Sequence, residues 1–258
     1  MRERDGECQT QLCDADRPVT FNSLQHLEFL FSIMTLKLYF DMISQPSRTL
    51  YIFFKTCNIP FEKKIVNLRK LEHHTPEFEK INPFKKVPAI DHDGFKLTES
   101  IAIMRYACRE FKVDDHWYPS DSKARAKVDK FIEWHYFNIR LHCSKYFLAK
   151  FLNPLLRGTS PKPEKIAKLE KAMSDNIDPI ENIWLKDKLY LTGNTISVAD
   201  IFGACELEQP RIAGYNPRNG RPRLTAWLER VAAETNPHYD DANKFIDEVI
   251  AQTSKMFS

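Results

Sequence analysis

Residues 82–103 read NPFKKVPAIDHDGFKLTESIAI, and the order of parts in this stretch decides the fold. Val87-Pro88-Ala89-Ile90 is an apolar run with a proline near its front. Proline cannot donate to a sheet ladder, so Pro88 belongs at an edge or at the first position of a strand. Asp93-Gly94 is a hairpin turn signal flanked by Ile90 on one side and by Phe95 and Leu97 on the other. Thr98-Glu99-Ser100 then stands directly before an apolar helical run, which sets a carboxylate and a hydroxyl beside the free N–H groups of a helix start. On residue preference alone, these polar residues read as helix caps and a first-turn acid.

The elements around this stretch alternate. Leu36 to Phe40 reads as a strand, and Pro46 opens a helix at a position where proline is tolerated. Leu50, Phe53, Phe54 and Cys57 follow at i, i+3, i+4 and i+7, one buried face. Asn58-Ile59-Pro60 stops that helix, and Phe61 to Val66 is a second strand whose lysines suggest an edge. Residues 69–81 are irregular, with one helical turn after Pro76. Behind the hairpin, Ile101, Met104, Cys108 and Phe111 share a helix side. The string βαβ, weak helix, ββα predicts a small mixed sheet with helices on its faces.

Strand signals nearly vanish after residue 112. Residues 113–121 have a linker's composition, and 122–258 read as all-helical. Ser122 to Leu156 is one long helical stretch, Pro163 begins another helix, and Asp178-Pro179 predicts a kink or break in it. Residues 221–234 and 239–256 complete the set. Ile196-Ser197-Val198-Ala199-Asp200-Ile201 is a capping box with a hydrophobic staple, using Asp where Glu or Gln is usual. Its role is folding. Residues 1–34 read as a loosely ordered extension containing at best a short amphipathic helix around Leu24, Leu27, Leu30 and Phe31. The apolar run from Phe29 to Met34 is too short for a signal anchor, and Met34-Thr35-Leu36 reads as the start of the folded unit and an alternative initiation site.

Bulk properties exclude several classes of function. The chain has 258 residues, 43% hydrophobic and 28% charged, which is globular composition. A net charge of +3 is too weak and dispersed to argue for nucleic acid. No segment is apolar for long enough to span a membrane. The cysteines at 8, 13, 57, 108, 143 and 205 contain no CxxC and no zinc spacing, so no metal is expected. Their scatter fits a reducing, cytoplasmic setting. Only 7 glycines occur, with no phosphate-binding loop among them.

Ser44 in YFDMISQPSRTL lies between the first strand and the helix opened by Pro46. Its hydroxyl is either a plain helix cap or a donor placed at the positive end of that helix. Arg140 lies in NIRLHC among Tyr136, Phe137, Leu141 and Tyr146, where a buried arginine needs an anionic partner. His73-His74 are adjacent histidines, which on a strand or helix point different ways.

Taken together, INPFKKVPAI, LTESIAI, Tyr39-Phe40-Asp41 through Ser44-Gln45-Pro46, Arg48, HWYPSD-x-x-A-R-A-K-V-D and LTGNTISVAD resemble the theta class of the cytosolic glutathione transferases, over essentially residues 35–255. The resemblance implies a thioredoxin-like N-terminal domain (βαβαββα) at 35–112, followed by an all-α domain that forms an electrophile site. It also implies a cis bond before Pro88. By the same resemblance Ser44 stabilises the glutathione thiolate and Val87 pairs its backbone with the cysteinyl part, beside Pro88. Glu99 and Ser100 hold the γ-glutamyl end, His73 and Lys86 face the glycine carboxylate, and Arg140 reaches in from the helical half. Glutathione is then a co-substrate and no cofactor is needed. The second substrate is a small hydrophobic electrophile (an alkyl halide, a sulfate ester or a peroxide), and the assembly is a homodimer. A C-terminal extension that roofs the pocket in longer members is expected to be missing.

Two other readings stay open at this level. One is a glutathione-binding scaffold of the same fold with little turnover. The other is a glutaredoxin-like thiol transferase, which would need a nucleophilic cysteine near the first helix, where position 44 is serine.

Overall fold

A computed structural model describes residues 36–159 and 161–256. The extension at 1–34, its amphipathic segment, Cys8 and Cys13 lie outside the described residues. A four-stranded sheet forms the first part, in the order β2-β1-β3-β4. Strand β1 (Leu36–Phe40) runs parallel to β2 (Glu62–Ile65) and antiparallel to β3 (Ala89–His92), which pairs antiparallel with β4 (Phe95–Thr98). Leu36, Leu38 and Phe40 are buried and alternate with half-buried Lys37 and Tyr39, the period of two that a half-covered sheet imposes. The expected edge is β2. Pro88 sits just ahead of β3, where its missing N–H costs no ladder bond, and the Val87-Pro88 bond is cis. Asp93 and Gly94 both take positive φ in the β3–β4 turn, as a two-residue hairpin loop requires.

Helix α1 (Gln45–Thr56) begins at Pro46 and is buried from Pro46 through Phe54, a wider face than its apolar spacing suggested. The excess is explained by partners on both sides, since α1 packs against the first part's α3 and against the helical half. Two 3-10 turns (Leu68–Lys70 and Glu72–His74) and the short α2 (Pro76–Glu79) fill the irregular stretch. On α3 (Ser100–Glu110) the fully buried residues are Ile103, Met104 and Ala107. Ile101, Cys108 and Phe111, expected to share one side with Met104, are only partly buried at its rim.

The second part is helical. A stretch running from Ser122 to Arg157 comprises α4 (Ser122–His135), a π-turn (Tyr136–Arg140), α5 (Leu141–Phe147), a second π-turn (Leu148–Leu152) and α6 (Asn153–Arg157). It stops at Gly158 in the left-handed conformation. Helix α7 (Pro163–Pro179) continues into a π-turn (Ile180–Trp184) instead of breaking. The wide turn is one way to absorb a proline that lacks its own N–H, and Leu185 N donates to Ile180 O at 3.0 Å across it.

Helix α8 (Val198–Glu208) is buried along its whole length and forms the centre of this half. Its capping box is present: the buried Asp200 carboxylate accepts from Ser197 N at 2.9 Å, and also from Leu191 N at 2.8 Å and Trp227 Nε1 at 2.9 Å. A 3-10 turn (Gln209–Ala213), α9 (Pro222–Thr235) and α10 (His238–Met256) follow. A small satellite core joins Ile246 and Val249 of α10 to Phe147, Ile212 and Ile43, the residue before Ser44. Among the described residues, no helix is long and apolar enough to cross a membrane.

Candidate functional site

The loop from Asp41 to Ser44 leaves β1 and enters α1, and it is tied on every side. The Asp41 carboxylate accepts from Ile43 N at 3.0 Å and from Leu68 N at 2.9 Å, and Ser44 N donates to Asp41 O at 3.0 Å. Arg48, fully buried one turn into α1, donates to Met42 O at 2.7 Å and to Gln209 Oε1 at 2.6 Å. Gln209 Nε2 in turn donates to Ile43 O at 3.2 Å. Ser44 occupies the N-cap position of α1, yet its side chain makes no capping hydrogen bond. The hydroxyl that a capping serine spends on its helix is left over, at the positive end of α1 and on the wall of a cleft.

That cleft is about 440 Å³. Ser44, His73, Lys86, Val87 and Arg140 all line it, facing an apolar wall of Phe147, Leu148, Leu152, Leu155 and Leu156. The wall comes from the helical half. Leu155 and Leu156 are more than half exposed, which is unusual for paired leucines unless something apolar covers them. An adjoining recess shares Gln45, Pro46 and Arg140 with the cleft and holds Glu99 and Ser100. Seven of the eight residues singled out from sequence therefore face two connected hollows. The eighth, Pro88, is buried behind Val87 and lines neither.

Local backbone shapes these positions. Glu99 precedes α3 with φ 67° and ψ 111°, outside the regions comfortable for a residue with a Cβ, and its side chain caps nothing. Leu71 and Lys85, both on the cleft, also have positive φ. Among the described residues, three of the five non-glycine residues with positive φ thus border the two hollows, so backbone strain is concentrated there. Asn82 holds the loop before Val87: it is buried, accepts from Phe84 N at 2.9 Å and donates to Lys86 O at 2.6 Å. Lys85 is spent on Glu79 at 3.0 Å, which leaves Lys86 as the lysine of that pair on the cleft with no carboxylate within salt-bridge reach among the described residues.

The two histidines depart from expectation. Their ring centroids lie 4.1 Å apart and both line the cleft, on the 3-10 turn at Glu72–His74. Burial, with a smaller contribution from His74, lowers the His73 pKa, so the His73 ring is harder to protonate than an ordinary histidine.

Arg140 rides on the first π-turn of the long helical stretch, a feature often found at functional sites. It has the anionic partner its surroundings require, Glu206 of α8 at 3.2 Å. No sequence signal singled out Glu206, Gln209, Gln45 or Asn82, since each acts through a partner distant in the chain or through its loop's own backbone. Cys57 and Cys108 are free thiols whose pKa values burial raises, that of Cys108 to about 12, so neither is a ready nucleophile. Among the described residues no cluster of side chains could hold a metal.

Residues 34–109 match the family model of the glutathione S-transferase N-terminal domain, and residues 143–234 match that of the C-terminal domain. The chain belongs to the glutathione S-transferase family. Its theta-class standing follows from its relatives: it is 43% identical to glutathione S-transferase theta-1 of Rattus norvegicus over 200 residues, 78% of this chain and 83% of the relative. A human theta-2 structure in complex with glutathione and an unknown ligand superposes with a TM-score of 0.81 at 37% identity, covering 86% of this chain and 91% of that one. A human theta-class structure holding the glutathione conjugate of 1-menaphthyl sulfate gives 0.77 at 36% identity, covering 85% and 91%.

Proposed function

We propose that this theta-class family member transfers glutathione to small hydrophobic electrophiles, with Ser44 as the hydroxyl that stabilises the thiolate. The observation that carries the reading is the unspent Ser44 side chain at the N-terminus of α1, on a cleft with polar groups on one wall and leucines on the other. Glutathione lies against residues of 35–112, ahead of the linker at 113–121. Glu99 takes its ammonium and Ser100 its γ-glutamyl carboxylate at the start of α3. Val87 pairs through its backbone, next to Pro88, and Lys86 and His73 face the glycine carboxylate.

A free thiol has a pKa of about 8.5, so little is ionised at neutral pH. A hydroxyl donor and the α1 dipole both favour the anion. The thiolate sulfur then attacks saturated carbon, a carbon–sulfur bond forms, and the bond to halide or sulfate breaks as that anion leaves. Arg140 faces the cleft from the helical part (122–258) and is placed to attract the departing anion. No cofactor enters these steps. We read the working unit as a cytoplasmic two-fold homodimer, in keeping with the four free cysteines of the described residues and the general preference for such symmetry.

The test is a panel of alkyl halides, sulfate esters and hydroperoxides with purified protein. Transfer that falls on the order of ten- to a thousand-fold in Ser44→Ala supports the reading. Unchanged transfer contradicts it.

A further inference from the structure

Glu206 lies at the floor of the recess and is 1% exposed. Its two carboxylate oxygens each accept from Gln45 Nε2 at 3.1 Å, and one accepts from Arg140 Nη1 at 3.2 Å. His135 Nε2 stands 3.7 Å from the same oxygen, and among the described residues neither ring nitrogen of this buried histidine has a hydrogen-bond partner. Burial pushes the Glu206 carboxyl up, but His135, Arg140 and Gln45 outweigh it and hold it below the ordinary glutamate range. It is therefore an anion at neutral pH, and a buried anion persists only where its partners are well placed.

Those partners are not ordinary core residues. Gln45 follows Ser44 directly, and Arg140 faces the cleft. We infer that Glu206 is a positioning residue of the transfer reaction: one buried carboxylate aims Arg140 at the leaving anion and fixes the turn that carries Ser44. Arg140 needs such a holder. Its side chain is 29% exposed, and apart from Glu206 it rests on the Tyr136 ring at 5.9 Å. Unheld, a long cation at a cleft mouth samples many rotamers, and few of them meet a departing group.

The inference rests on the proposed transferase activity, and the test separates the two. Steady-state kinetics on an alkyl sulfate compares the unaltered chain with Glu206→Gln, Arg140→Leu and the double variant. We expect Glu206→Gln to lower kcat roughly tenfold while KM for glutathione moves less than about threefold, the mark of an interaction used in the transition state. In the Arg140→Leu background the same change lowers kcat by less than about twofold, because coupled residues are not additive.

Glu206→Asp keeps the charge and restores part of the dependence on Arg140. It also carries the cycle if Glu206→Gln does not fold. Equal losses in both backgrounds, or no loss in the first, overturn the positioning role while the transferase reading stands. An inactive unaltered chain overturns the transferase reading and this inference with it.

Discussion

Arg48 donates to the side-chain oxygen of Gln209 across 2.6 Å, from α1 to the 3-10 turn that follows α8. Both side chains also bond the Met42-Ile43 backbone, so the loop before Ser44 is clamped from the helical half. Arg48→Met leaves Gln209 Oε1 and Met42 O buried with a partner missing. We expect a loss on the order of 3 kcal/mol in urea unfolding, together with a fall in turnover. A variant of normal stability would show that the clamp is dispensable.

Glu99, proposed to take the glutathione ammonium, sits in strained backbone. Its positive φ costs a residue with a Cβ roughly 1–3 kcal/mol, and glycine removes that cost at a smaller entropic one. Glu99→Gly is expected to gain about 1 kcal/mol in thermal unfolding and to lose glutathione affinity by about tenfold or more. Glu99→Gln should lose affinity without gaining stability. Calorimetric titration and melting curves on the two variants separate charge from backbone. A Glu99→Gly protein no more stable than the parent contradicts the strain argument.

The core of the helical half is tightly filled around Gly203. A Cβ there would meet Leu191 Cδ1 at 3.0 Å, Phe131 Cζ at 3.2 Å and Trp227 Cη2 at 3.2 Å. Gly203→Ala is expected to destabilise by about 1–3 kcal/mol through overpacking. Asp200→Ala should cost more, on the order of 4 kcal/mol, since it leaves Leu191 N–H and Trp227 Nε1–H buried without an acceptor. Denaturant midpoints of the two variants give the order directly.

The parts of this fold that were legible in the sequence are local. The Asp93-Gly94 turn, Pro46 at the start of α1 and the Ser197–Asp200 box each place their evidence within a few residues, where dihedral preference and capping act. Ser44 was visible as a serine at a helix start, but only the fold shows that its hydroxyl is not used as a cap. Gln45 and Glu206, like Arg48 and Gln209, are separated by 161 positions, and no periodicity links them. The closeness of the His73 and His74 rings was not legible for a related reason, because residues 69–81 carry no periodicity that fixes where side chains point.

Acid should expose the buried carboxylates. Burial raises the Glu208 carboxyl, but Arg218 and Arg211 outweigh it and leave the group below the ordinary glutamate value, as with Glu206. A depressed folded-state pKa contributes stability that is fully present above the unfolded value of about 4.5 and is lost as pH falls through the folded value. Melting temperature should therefore hold down to about pH 5 and drop steeply below it. Glu208→Gln should lower stability near pH 7 by about 1.5–3 kcal/mol and flatten that acid limb. An unchanged limb would assign the acid loss to other groups.

The central claim is that Ser44 stabilises the glutathione thiolate. Its most direct test is an ultraviolet titration of the thiolate of glutathione bound to the unaltered protein and to Ser44→Ala. The account predicts a bound thiol pKa at least about one unit below the free value of about 8.5 in the unaltered protein, returning toward that value in Ser44→Ala while glutathione still binds. Two proteins that bind glutathione and titrate it at the same pH would contradict it.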